Sequence, residues 1–107
     1  MGTMYTMTQD FYRGKLLDAG LEVVVPNEED RETIHNVIFN ELCKGTAKEK
    51  SRKSYEAIAK RLEEAGADCL ILGCTEIGML LHEGNTPLPV MDTTLIHCRV
   101  AVDRAFK

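Results

Sequence analysis

Cys69-Leu70-Ile71-Leu72-Gly73-Cys74-Thr75-Glu76-Ile77 is an apolar run that breaks off in a Gly-Cys-Thr-Glu turn and resumes as a second apolar segment. The pattern predicts a buried strand that delivers a thiol to its carboxyl end, where open α/β sheets place their ligands. A short helix from about Thr75 to Leu81 is expected to follow. Its unpaired N–H groups and positive dipole end would then lie beside the sulfur. Such surroundings favour thiolate over thiol, lowering a cysteine from about 8.5 into the range of roughly 3.5–7.5. Cys74 is therefore the candidate reactive group. The alternative is a small apolar residue filling a strand end, as Cys69 is expected to do.

Outward from this stretch, the remaining elements alternate. Thr6-Met7-Thr8-Gln9 carries a capping-box pattern before a partly apolar helix with Phe11, Tyr12, Lys15, Leu16 and Ala19, closed by Gly20. Leu21–Val25 reads as a short β-branched strand ended by Pro26. Asn27 is placed to cap a helix with Glu28, Glu29 and Asp30 in its first turn; Ile34, Val37, Ile38, Glu41 and Leu42 follow at helical spacing up to Lys44-Gly45. Thr46-Ala47-Lys48-Glu49 reads as a capping box for a long helix bearing Tyr55, Ile58, Ala59, Leu62 and Ala65. Val90-Met91 is a brief strand. Asp92 or Thr93 then caps a last helix with Leu95, Ile96, Val100, Ala101 and Phe106. Strands alternating with helices predict an α/β fold, a parallel sheet flanked by helices. Three short strands are few for such a sheet, and Met1-Gly2-Thr3 runs straight into a capped helix. That opening reads as the end of a missing strand, and the chain as an incomplete fragment of something larger.

The 107 residues suffice for one domain, and 28% charged residues with a net charge of −4 suit a globular protein. Lys44, Lys48, Lys50, Arg52 and Lys53 form a basic cluster, but Glu49 interrupts it and no aromatic residue interleaves. It reads as a solvated helix face, not a nucleic-acid site. No apolar run reaches 18 residues and no secretory leader is apparent, so neither a membrane partner nor export is expected, and the location is read as cytoplasmic. Cys43, Cys69, Cys74 and Cys98 are far apart without a C-x-x-C pair, which predicts reduced thiols and no zinc site. No glycine-rich phosphate loop is present.

Taken together, these residues resemble the carboxyl-terminal half of the aspartate/glutamate racemase family, amino-acid racemases that work without pyridoxal phosphate. The resemblance is carried by Gly2-Thr3-x-Tyr5-Thr6-Met7-x-Gln9-Asp10-Phe11-Tyr12, by Glu22–Pro26, and by Ile34-His35 through Phe39-Asn40-Glu41-Leu42-Cys43-Lys44-Gly45. It continues in Leu72-Gly73-Cys74-Thr75-Glu76-Ile77 and ends in Pro89-Val90-Met91-Asp92-Thr93-Thr94 with His97. It implies that residues 1–107 are the second of two similar Rossmann-like α/β domains facing each other across a cleft. Each domain would contribute one cysteine: one thiolate removes the α-proton of an acidic amino acid, and the other cysteine, as a thiol, returns a proton from the opposite face. Inversion needs a base on one side and an acid on the other. No cofactor is implied. The amino-terminal half, with its own cysteine, has no counterpart here, because Cys43, Cys69 and Cys98 lie in unmatched contexts.

The resemblance also implies roles around Cys74. Thr75 would hold a substrate carboxylate, or it merely caps the short helix. Glu76 would orient or help deprotonate a group near Cys74, although a carboxylate beside a thiol opposes its ionisation; alternatively it is a favourable charge in a first helical turn. A Glu at this position, where glutamate racemases carry histidine, points to the aspartate-type or broad-specificity branch. Lys44 would pair with a substrate carboxylate, or it stabilises a helix end. Thr3, Thr6 and Met7 would line the same cleft edge, or act as caps and core. His97 matches the family's terminal histidine, or is structural. Tyr5, Phe11, Tyr12 and Tyr55 read as packing residues.

The expected function is thus amino-acid racemisation of the aspartate/glutamate type, with Cys74 as one of two acid/base cysteines and no turnover by this chain alone. The rival expectation is a non-catalytic domain that forms a homodimer or pairs with a missing amino-terminal half. Thiol redox chemistry at Cys74 is disfavoured by the want of a resolving cysteine nearby in sequence.

Overall fold

The helices form where capping and apolar spacing coincide. The computed structural model describes residues 1–8 and 10–106, apart from the side chains of Tyr5, Asp10, Phe11, Tyr12 and Glu83. The packing expected of Tyr5, Phe11 and Tyr12, and the part of Gln9 in a capping box, lie outside the described residues. Helices α1 (Met4–Thr8), α2 (Asp10–Asp18), α3 (Glu28–Asn40) and α4 (Glu49–Glu64) precede strand β1 (Leu70–Leu72). Strand β2 (Val90–Asp92) and helix α5 (Thr93–Ala105) close the chain. β1 and β2 pair in parallel, Leu70 opposite Val90 and Leu72 opposite Asp92. The chain is therefore a helix-rich α/β unit, as its alternating pattern predicts.

The core lies between α3, α4 and β1. Ile34, Ile38 and Leu42 meet Tyr55, Ile58, Ala59 and Leu62, and Leu70, Leu72, Ile77, Leu80 and Leu81 close the far side. Tyr55 is fully buried, and its hydroxyl donates to the Ile34 carbonyl oxygen at 2.8 Å. That bond ties the middle of α3 to α4 where no water competes. At the other end of the helix pair, Arg61 grips Asp30 with both arms, Nε to Oδ2 at 2.8 Å and Nη2 to Oδ1 at 2.7 Å. Asn27 caps α3 as expected, its Oδ1 accepting the Asp30 N–H at 2.8 Å, and Asp92 caps α5 through the N–H groups of Thr94 and Leu95.

Four expectations need correction. Leu21–Val25 is not a strand: among the described residues it has no strand partner, and Leu21 and Val24 are exposed. A β-branched run becomes a strand only where a neighbour completes its ladder. The first helix starts at Met4, because the Thr3 hydroxyl oxygen accepts the Thr6 N–H at 3.3 Å. The long helix α4 starts at Glu49 with no side-chain cap. Thr46 is engaged elsewhere, its N–H donating to the Glu41 carbonyl at 2.9 Å in the turn that Gly45 closes at φ 79°. The helix expected from Thr75 to Leu81 shrinks to one 3₁₀ turn, Ile77–Met79. Helix α5, capped as expected, buries none of its residues and leaves Leu95, Ile96, Val100 and Val102 exposed.

Replacing Tyr55 by Phe should lower stability by roughly 1–2 kcal/mol, because it removes a buried bond and keeps the ring packing. Urea unfolding would show this as a lower midpoint at unchanged slope. An unchanged midpoint would mean the hydroxyl bond adds nothing.

Candidate active site

Two residues beyond its last paired position, β1 delivers Cys74 to the carboxyl end of the sheet. Gly73 makes this possible: a Cβ there would come within 3.2 Å of both the Met1 carbonyl oxygen and the Thr6 methyl carbon. The close approach brings α1 against the strand end. Thr6 therefore sits one residue from Cys74 along the strand, and its hydroxyl is 3.2 Å from that of Thr3. From the other side Thr93 donates to the Leu72 carbonyl at 2.6 Å, sealing the last carbonyl of β1 from the start of α5.

Cys74 is half-buried and packs against the core. Its thiol donates to Glu76 Oε2 at 2.8 Å. Burial, then the hydrogen bond to Glu76, pushes the thiol up to about 11, and the Glu76 backbone works the other way without prevailing. The thiolate expected from the sequence is thus corrected to a thiol. The reason is local: a 3₁₀ turn replaces the helix whose dipole would have stabilised the anion, and a carboxylate occupies the space next to the sulfur. The same contact, with help from the Thr75 hydroxyl, holds the Glu76 carboxyl below the usual range. Sulfur and carboxylate act as one unit, proton on the sulfur and charge on the oxygen.

The walls of this unit come from α3 and α4. Tyr55 lies near enough that Cys74 and Glu41, after burial itself, raise its phenol. Glu41 is held in turn by Ser51, whose hydroxyl donates to Oε1 at 2.6 Å. The 3₁₀ turn Leu42–Lys44 adjoins the site, since nearby Cys43 contributes to the shift at Cys74. Lys44 is exposed on that turn, and Thr75 is exposed beside Cys74. The structure brings Thr6 and, through it, Thr3 to the strand end with Cys74, Thr75 and Glu76. Met7 differs: its side chain is buried in the core. His97 is exposed on α5.

Sequence reasoning took Tyr55 for packing alone and passed over Glu41 and Ser51 as neighbours of the cysteine. Their sequence signal is faint, two polar groups flanking the Lys44-Gly45 helix end. The described residues contain no cluster of three His, Cys, Asp or Glu side chains able to hold a metal, and no helix long and apolar enough to cross a membrane.

A family model described as Asp/Glu/Hydantoin racemase matches residues 1–101. A crystal structure of a protein from Yersinia pestis, assigned as an Asp/Glu racemase, superposes with a TM-score of 0.94 at 44% identity, covering 100% of this chain and 47% of the other. An aspartate racemase homologue from Pyrococcus horikoshii OT3 gives a TM-score of 0.90 at 39% identity, again over 100% of this chain and 47% of that one. The chain thus spans a little under half the length of these solved structures.

Alkylation against pH should separate Cys74 from the exposed Cys43, Cys69 and Cys98. A pKa near 11 leaves about a hundredfold less thiolate at neutral pH than an ordinary thiol has, so Cys74 reacts last. Glu76→Gln should move its profile to lower pH, though not to the ordinary value, since burial remains. A profile unmoved by Glu76→Gln would show that the contact does not control the thiol.

Proposed function

Because this chain belongs to the Asp/Glu/Hydantoin racemase family, we propose that it furnishes one catalytic face of a cofactor-independent racemase for acidic amino acids, with Cys74 as proton donor. The observation that carries the reading is the protonated thiol held against Glu76 at the carboxyl end of β1. Racemisation needs an acid on one face of the substrate and a base on the other. A thiol that keeps its proton at neutral pH is equipped to be the acid. The opposing base takes the Cα proton, the electron pair of that bond delocalises toward the substrate carboxylate, and the Cys74 proton is delivered to the other face. Cys74 is left as a thiolate, which serves as the base for the reverse direction.

Glu76 gives this cycle its direction of ease. A thiolate beside a carboxylate is a strong base, so it recaptures a proton readily. A bound substrate's α-ammonium brings a compensating positive charge and lowers the cost of forming the thiolate. Thr75 and the Thr3–Thr6 pair offer hydroxyls at the strand end for a substrate carboxylate, and Lys44 offers a cation for a second one. In this reading Met7 supports the cleft edge from the core. The opposing base comes from the partner domain, so the 107 residues alone do not turn over.

The test joins this chain to the amino-terminal half of the Yersinia pestis protein and follows deuterium entry from solvent at Cα of L-aspartate and L-glutamate. Cys74→Ala should cut exchange by about 10²–10⁴-fold, the range for losing a general acid or base. Retention of activity within about tenfold would sink the role of Cys74. Turnover by the 107-residue chain alone would place the opposing base within it.

The exposed apolar face of α5 favours a second, compatible reading, in which this chain associates with another copy or with the other half of the molecule. Val100→Asp should then lower the native mass seen by light scattering at high concentration. The same mass for parent and variant would remove α5 from the interface.

A further inference from the structure

As the first residue of α1, Met4 has no carbonyl behind it in the helix to accept its N–H. Helix α3 supplies the acceptor: the Met4 N–H donates to His35 Nδ1 at 3.0 Å. Thr3 satisfies two more of these groups, its hydroxyl taking the Thr6 N–H at 3.3 Å and its carbonyl the Met7 N–H at 3.0 Å. An Nδ1 that accepts carries no hydrogen, so the ring's single N–H is at Nε2. Half-buried, the ring is steadied on its own helix by Phe39 one turn further on, with centroids 4.8 Å apart and planes inclined at 50°. Its backbone is held more firmly still. Neighbouring Ile34 is fully buried and its carbonyl accepts the Tyr55 hydroxyl at 2.8 Å, so His35 stands on the turn of α3 that α4 anchors.

α1 depends on such an outside hold. It has five residues, and helices shorter than about 12–15 residues do not persist on their own in water. Met7, buried in the core, fixes its far end, and Thr6 rests on Gly73, the residue before Cys74. His35 fixes the near end, where Thr3 lies and where the Thr3 and Thr6 hydroxyls are 3.2 Å apart. We infer that His35 is a positioning residue: with the strand end taken as the seat of the substrate carboxylate, as proposed for the racemase, its Nδ1 holds the Thr3–Thr6 hydroxyl pair where that carboxylate binds. It touches no substrate atom and moves no proton. The acceptor atom does this, and the ring around it serves to aim that atom.

Two variants separate acceptor from ring. His35→Phe keeps an aromatic ring against Phe39 and removes the acceptor, whereas His35→Asn loses the ring but puts its Oδ1 one bond from Cγ, where Nδ1 stands. In the chain itself, His35→Phe should speed hydrogen exchange at the Met4 and Thr6 amides by about tenfold or more while α4 keeps its protection, and His35→Asn should restore most of the loss. Joined to the amino-terminal half of the Yersinia pestis protein, His35→Phe should raise KM for L-aspartate about tenfold with kcat within about threefold, and His35→Asn should stay within about threefold in both. Unchanged exchange at Met4 and Thr6 overturns the inference. So does an equal loss in both variants, which would assign the effect to ring packing, or a loss that spreads over α4, which would make His35 a support of the fold at large. A fall in kcat at unchanged KM overturns the link to the carboxylate. Turnover that survives Cys74→Ala sinks the role of Cys74 instead, and exchange at Thr6 still decides that of His35.

Discussion

Every parallel strand depends on neighbours that lie far away in sequence, and here that dependence falls on Leu70–Leu72. β1 is the centre of the chain: α3 and α4 bury its side chains, β2 completes one edge, and Met1 closes a single rung of the other. Its three residues carry no more intrinsic strand preference than Leu21–Val25 do. What separates the two segments is completion of backbone hydrogen bonds. A buried N–H or C=O without a partner is costly, so the segment with partners is ordered as sheet and Leu21–Val25 runs as irregular chain.

The chemistry at the strand end follows from the same geometry. With Gly73 pressed against α1 and Thr93 sealing Leu72, Cys74 is held at the rim of the core, half out of water. Desolvation alone favours the neutral thiol, and Glu76 adds to it by accepting the proton's hydrogen bond. Two effects of the same sign outweigh the backbone N–H that favours the anion. A cysteine so placed is an inefficient nucleophile at rest, which favours the proposed proton-donor role over redox exchange.

Much of this was legible along the chain. The caps at Asn27 and Asp92, the heptad-like run from Ile34 to Leu42, the apolar stripe of α4 and the Gly-Cys-Thr-Glu turn are all local patterns, and each appears where expected. The tension between Cys74 and Glu76 was also readable, since two residues on a tight turn cannot avoid each other. The contributions of Tyr55, Glu41 and Ser51 were not readable, because they reach the cysteine from other elements. Nor was the shortening of the helix after Thr75, where Ile77, Leu80 and Leu81 are all drawn into the core.

The sequence by itself determined the class of the fold, the position of the Gly-Cys-Thr-Glu turn and, through motifs in their order, the family. Those depend on periodicity, capping and residue type, which act over a few positions. Tertiary structure alone decided the protonation of Cys74 and the fate of Leu21–Val25. Each of these turns on desolvation or on a hydrogen-bond partner supplied from a distance, and neither is written in the neighbouring residues.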